Sequence, residues 1–124
     1  MSDLILLVED NEKNMKLFRD VLQATGYRTL EAATAGQALT LAAEHSPAVV
    51  LMDIQLPDMD GLEALRRLRQ LEQTASTAVL AVTAQAMKGD RERFMEAGFD
   101  GYLSKPVDVD ELLATVRLHC EGGA

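Results

Sequence analysis

Two apolar runs end in acid. Leu4-Ile5-Leu6-Leu7-Val8 runs into Glu9-Asp10, and Val49-Val50-Leu51-Met52 runs into Asp53. Runs of this length and composition read as strands buried on both faces. Two such strands finishing in carboxylates place acids together outside the carboxyl ends of a parallel sheet, the edge where open α/β sheets bind ligands. Clustered carboxylates repel one another. At about 4 Å and an effective dielectric of about 20, a pair costs about 4 kcal/mol. Protonation or a bound cation relieves that cost, and a set of oxygen donors favours a hard ion such as Mg²⁺. Two further strand ends carry chemistry. Ala78-Val79-Leu80-Ala81-Val82 ends at Thr83, a hydroxyl, and a short last strand is followed by Lys105-Pro106, which supplies a cation.

The elements that must position these residues alternate from end to end. Strands are expected near 3–8, 27–32, 48–53, 78–83 and 100–104, and helices near 12–25, 35–45, 61–71, 87–97 and from 109 onward. Met15, Phe18, Val21 and Leu22 form one helical stripe, and Gly26 is placed to stop that helix. Thr34-Ala35-Gly36-Gln37 has the form of a capping box. Asp60-Gly61-Leu62-Glu63 and Asp108-Val109-Asp110-Glu111 open two more helices, the last with an apolar stripe of Val109, Leu112, Leu113 and Val116. Residues 72–77 read as a polar connection. Five βα units imply a parallel sheet with helices on both faces and right-handed crossovers. The expected fold is therefore an α/β, flavodoxin-like (βα)5 three-layer sandwich with strand order 2-1-3-4-5. The second strand, the least hydrophobic, belongs at an edge.

Composition bounds the function. The chain has 124 residues and fits one domain, 1–124, with 48% hydrophobic residues to build a core. Its net charge of −8 argues against nucleic acid or an anionic membrane as the main partner. Arg66, Arg67 and Arg69 read as a solvated helix face. Cys120, the single cysteine, allows no internal disulfide and lacks a metal motif around it. His45 and His119 have no partners at metal-ligand spacing and read as surface residues. The first apolar run is short and interrupted by Glu9, unlike a signal peptide, and no run is long enough to span a bilayer. A cytoplasmic setting is the expectation.

Taken singly, each short motif has a bland reading as a loop start, a turn cap or a strand end. Together, and in order, they are specific. Val8-Glu9-Asp10-Asn11, Met52-Asp53-Ile54-Gln55-Leu56-Pro57, Asp60-Gly61, Val82-Thr83-Ala84 and Ser104-Lys105-Pro106 closely resemble the receiver domain of two-component response regulators, the CheY-like family, over essentially the whole chain. Within that family, Glu9-Asp10-Asn11-Glu12 with Asn14-Met15-Lys16-Leu17-Phe18, and Ala84 with Ala86-Met87-Lys88-Gly89-Asp90, resemble single-domain regulators of the DivK type.

The resemblance implies a signalling phosphoacceptor rather than an enzyme. Asp53 would take a phosphoryl group from the histidine of a sensor kinase or phosphotransfer protein, forming an aspartyl phosphate. Asp10, Asp53 and the backbone carbonyl of Gln55 would ligate Mg²⁺, with Glu9 acting through a water. Lys105, after which a cis peptide is implied, would pair with the acceptor carboxylate and then with the phosphoryl group. The Thr83 hydroxyl and Ala84 N–H would bind phosphoryl oxygens. Thr83 and Tyr102 would carry the switch to the face formed by the fourth helix, fifth strand and fifth helix, where downstream effectors or kinases bind. Gln55 and Gln85 occupy positions that vary in the family and would tune phosphoryl lifetime. Phe94, Met95, Phe99 and Met87 read as core or partner surface.

Implied partners are proteins, without nucleic acid or membrane insertion, and the chain is expected as a monomer or weak dimer. The alternatives are a receiver excised from a hybrid kinase or larger regulator, and a pseudo-receiver that binds without phosphorylation. An aspartyl-phosphate phosphatase would want a second acid where Gln55 stands, a nucleotide enzyme would want a P-loop, and Glu9-Asp10 would repel the phosphate of FMN.

Overall fold

The computed structural model describes residues 3–84 and 89–122. Five parallel strands, β1 (Leu4–Val8), β2 (Arg28–Ala32), β3 (Val49–Asp53), β4 (Ala78–Thr83) and β5 (Gly101–Ser104), form one sheet in the order 2-1-3-4-5. Helices α1 (Glu12–Ala24), α2 (Ala35–His45), α3 (Gly61–Gln70), α4 (Asp90–Ala97) and α5 (Val109–Gly122) connect and follow them. The flavodoxin-like order is the expected one, and β2, with Arg28 and Glu31 exposed, is at an edge. The start expected for the fourth helix, at Met87, and Gln85 lie outside the described residues.

Strand alternation divides the core between two faces. Leu6, Val8, Val50, Met52, Val79 and Ala81 point to the α2–α4 side, where Ala38, Ala42, Leu65, Leu68 and Phe94 meet them. Ile5, Leu7, Val49, Leu51, Leu80, Val82 and Leu103 point to the other, against Met15, Phe18 and Leu22 of α1 and Leu112 and Val116 of α5. Each Val, Leu, Ile, Met or Phe among these is worth about 1.5–3 kcal/mol when fully buried. Small alanines on α2 let that helix lie close to the sheet.

Local sequence sets the helix ends. Asn11 accepts from Asn14 N at 3.0 Å, and Asp60 accepts from Leu62 N and Glu63 N at 2.8 and 3.0 Å. Asp108 accepts from Glu111 N at 2.9 Å, as its sequence predicts. At the end of α1, Gly26 N donates to Gln23 O and Tyr27 N to Leu22 O, with Gly26 at φ 105°, a Schellman stop.

Several expectations need correction. Gln37 returns its side chain to Ala33 N rather than to the capping Thr34, so the box is displaced by one residue. Val109, expected on the apolar stripe of the last helix, is 39% exposed, whereas Leu112 and Val116 of that stripe are buried. The connection at 72–77 holds a 3₁₀ turn, Glu72–Thr74, whose Thr74 is buried with its hydroxyl donating to Leu68 O at 2.6 Å. Arg66 and Arg67 do lie on a solvated face, paired with Glu63, but Arg69 does not. Its guanidinium donates to the carbonyls of Thr74, Ala75, Thr77 and Gly98 and to the Asp100 carboxylate. His119 is half-buried, its ring nitrogens 2.8 Å from Thr115 O and 3.1 Å from Asp100 O, so it joins α5 to the start of β5.

Candidate functional site

The carboxyl ends of β1, β3, β4 and β5 lie side by side, because the parallel register aligns Val8 with Met52, Asp53 with Val82 and Thr83 with Ser104. Each strand therefore delivers its terminal polar residue to one edge. Glu9, Asp10 and Asp53 bring one carboxylate oxygen each within 4.8 Å of the others. Glu9 and Asp53 are 2% and 5% exposed, whereas Asp10 is exposed. From the far side Lys105 projects its ammonium between the two buried acids, 2.8 Å from Glu9 Oε1 and 3.1 Å from Asp53 Oδ2. The Lys105–Pro106 peptide is cis.

Backbone geometry fixes these side chains. Asp53 Oδ1 accepts from Gln55 N at 2.9 Å, which leaves Oδ2 turned to Lys105. Glu9 Oε2 accepts from Asn11 N at 3.2 Å, and Glu9 N donates to Ala32 O, tying the end of β1 to β2. Lys105 N donates to Thr83 O at 2.7 Å, locking the lysine to the threonine strand. Thr83 is buried at 3% exposure, and Ala84 beside it is exposed. Gln55 is exposed at the start of the loop after β3. Tyr102 is half-buried on the α4 side of β5, its ring stacked on Phe94 with centroids 5.7 Å apart.

Electrostatics follow from this packing. Burial pushes the Glu9 carboxyl above its ordinary 4.5; the bond to Lys105 opposes the shift and the neighbouring Asp53 reinforces it. For Lys105, burial acts to lower the ammonium, but the bonds to Glu9 and Asp53 outweigh it and hold the group above its ordinary 10.5. Tyr102 is raised above 10.0, first by burial and then by Asp90. Three acids facing one lysine leave excess negative charge at the edge. Glu9 Oε1 is ion-paired with Lys105 at 2.8 Å, so one ammonium serves both buried acids. An oxygen-only donor set with carboxylates within 4.8 Å of one another is what a hard divalent cation such as Mg²⁺ suits.

The structure thus brings Glu9, Asp10, Asp53, Thr83, Ala84 and Lys105 to one edge, with Gln55 adjoining and Tyr102 one element away. Sequence reasoning missed Asp58. Its carboxylate accepts from Ala35 N at 2.9 Å and Gly36 N at 3.0 Å, joining the loop after β3 to the first turn of α2. Those two bonds hold it below its ordinary 3.8. Its partners lie more than twenty residues upstream, so no local pattern could point to them.

Comparison with known proteins agrees with this geometry. Residues 5–117 match the family described as the response regulator receiver domain. The polar-differentiation response regulator DivK of Brucella ovis is 47% identical over 117 residues, covering 94% of this chain and 95% of that protein. DivK of Brucella anthropi is 46% identical over the same shares of each chain. Among solved structures, the receiver domain of the sensor histidine kinase PA1611 from Pseudomonas aeruginosa has a TM-score of 0.88 at 36% identity, covering 98% of this chain and 99% of that one. That structure holds a magnesium ion coordinated in its active site cleft. The chemotaxis response regulator CheY4 of Vibrio cholerae has a TM-score of 0.88 at 26% identity, covering 96% of this chain and 99% of that one. Strand-end acids, a lysine opposed to them and this shared fold lead to one conclusion: the chain belongs to the response regulator receiver domain family of two-component signalling.

Proposed function

We propose that Asp53 accepts a phosphoryl group from the histidine of a sensor kinase or phosphotransfer protein, and that residues 1–124 act as one receiver domain whose switch alters binding to protein partners. The observation that carries this reading is the position of Asp53, buried beside Glu9 and Asp10 with one carboxylate oxygen 3.1 Å from the Lys105 ammonium. Asp10, Asp53 and the Gln55 carbonyl would hold Mg²⁺, and Glu9 would act through a water. When bound, the ion supplies charge neutralisation for the approaching phosphoryl group.

The chain's own groups do the rest. The Asp53 carboxylate attacks phosphorus, the bond from phosphorus to the donor histidine breaks, and the donor leaves as neutral imidazole after taking up a proton. Such transfers depend on positioning and electrostatics more than on covalent assistance. Lys105 moves from balancing carboxylates to pairing with a phosphoryl oxygen, a task suited to a compact ammonium. The Thr83 hydroxyl and Ala84 N–H donate to the remaining oxygens. Drawing Thr83 toward phosphate frees space that Tyr102 enters, which changes the α4–β5–α5 face. Taking that equilibrium from 1:99 to 99:1 requires about 5.5 kcal/mol of differential binding.

Acetyl phosphate with Mg²⁺ should give a slower band for wild type on a phosphate-affinity gel, lost with EDTA and lost in Asp53→Asn. The same shifted band in Asp53→Asn would move the acceptor elsewhere.

A further inference from the structure

The loop from Ile54 to Asp60 carries the Gln55 carbonyl, and beyond the bond from Gln55 N to Asp53 Oδ1 at 2.9 Å it is held at three places. Ile54 N donates to Val82 O at 3.0 Å. Gly61 N donates to Ile54 O at 2.9 Å, and Gln55 pairs with Asp60, closing the loop on itself. The third attachment is the Asp58 carboxylate, which spans to α2 by two bonds, at 2.9 Å to Ala35 N and 3.0 Å to Gly36 N. The first two attachments run along the strand and the loop's own neck. Among the described residues, the third is the side-chain hydrogen-bond link from the loop's far side to a helix, and Leu56 and Met59 add apolar packing against the core.

That anchor also completes α2. A helix leaves its first amide protons without internal partners. Here Asp58 takes those of Ala35 and Gly36, and the Thr34 hydroxyl oxygen takes that of Gln37 at 3.1 Å. A carboxylate at a helix N-terminus is further favoured by the helix dipole. The contact therefore links a chain of supports around the acidic edge. Glu9 N is tied to Ala32 O at the end of β2, β2 leads into α2, and α2 is tied by Asp58 to the loop that follows Asp53.

We infer that Asp58 is a positioning residue: its two-pronged bond to the α2 amides holds the 54–60 loop so that the Gln55 carbonyl faces the cation position shared by Asp10 and Asp53. This inference rests on the proposed Mg²⁺ site. Asp58 touches neither the cation nor the phosphoryl group, and acts only through the backbone between itself and Gln55. Outer contacts of this kind orient metal ligands, and their loss commonly costs 10–100-fold in metal affinity, by about tenfold at the low end.

The test compares Asp58→Ala with Thr34→Ala. Both uncap α2, so both should lower Tm by about 4 °C. Only Asp58→Ala also frees the loop. Calorimetric Mg²⁺ titration should show affinity weakened about tenfold in Asp58→Ala, at wild-type strength in Thr34→Ala and intermediate in Asp58→Asn, which keeps one acceptor oxygen. Without Mg²⁺, amide exchange across residues 54–61 should quicken in Asp58→Ala alone. Equal Mg²⁺ affinity and equal exchange in Asp58→Ala and wild type would overturn the inference and leave the site intact. Equal losses in Asp58→Ala and Thr34→Ala would overturn it too, by tracing the effect to α2. A wild type that binds no Mg²⁺ would overturn the inference together with the proposed site.

Discussion

Glu9 and Lys105 set the resting charge of the edge. Because the fold raises the Glu9 carboxyl above 4.5, the folded chain holds that proton more tightly than the unfolded chain does. The resulting contribution is fully present below pH 4.5 and falls away as pH rises through the folded value. In EDTA, wild type should therefore lose stability relative to Glu9→Gln as pH is raised from 4.5 to neutrality, read by urea unfolding; a gap that does not change with pH would contradict the account. Lys105 has the same sign in a higher pH window. Its folded value lies above 10.5, so its contribution holds through neutrality and is lost only as pH rises past that. Lys105→Met leaves two buried acids without their cation. Metal-free stability should fall by roughly 2 kcal/mol, less than the 3–5 of a wholly buried pair, since Glu9 can take a proton. Removing a positive charge from beside the acids should also tighten Mg²⁺ binding by about tenfold while slowing phosphoryl transfer. Weaker Mg²⁺ binding in this variant would contradict the charge balance described.

At the scale of elements, the loops between strands and helices do the positioning. Gly61 opens α3 hard against Ile54, where a Cβ would meet Ile54 Cδ1 at 2.8 Å and the Ile54 Cα at 2.9 Å. A backbone atom cannot swing aside, so Gly61→Ala should cost about 1–3 kcal/mol by thermal unfolding, and a neutral result would show the neck of the loop to be pliant. Arg69 and Arg67 make a paired comparison. Arg67→Met removes an exposed pair with Glu63 and should cost at most about 0.5 kcal/mol. Arg69→Met unties α3 from the 74–77 turn and from Asp100, and should cost about 2 kcal/mol in urea unfolding. Sequence could not separate these two arginines. The partners of Arg69 are carbonyls up to 29 residues away at Gly98, and Asp100 beyond them. The same limit hid Asp58 and the contact of His119 with Asp100 O, whose partners are set by tertiary approach rather than spacing. By contrast, Asp60 and Asp108 cap helices through amides two or three residues ahead, and those ends were readable. The acids were readable for a related reason: they sit at the ends of runs whose apolar character fixes them as strands, so sheet order brings them together, whereas Lys105 follows a short, mixed last strand and was read together with the family resemblance.

Over the whole molecule, parallel strands converge like charges on one edge, and a cation binding there should stabilise the fold. At a hundred times its Kd, Mg²⁺ adds about 2.7 kcal/mol, or several degrees in Tm. Asp10→Asn should melt above wild type in EDTA, since an exposed repelling charge is gone, and should lose most of the Mg²⁺ increment. A wild-type Tm indifferent to Mg²⁺ would contradict the shared cation position. The most direct test of the central claim is chemical trapping of the acyl phosphate. After treatment with acetyl phosphate and Mg²⁺, borohydride reduction and peptide mass spectrometry should find homoserine at position 53, dependent on the divalent cation. Homoserine at another acid, or at position 53 to the same extent in EDTA, would contradict the account.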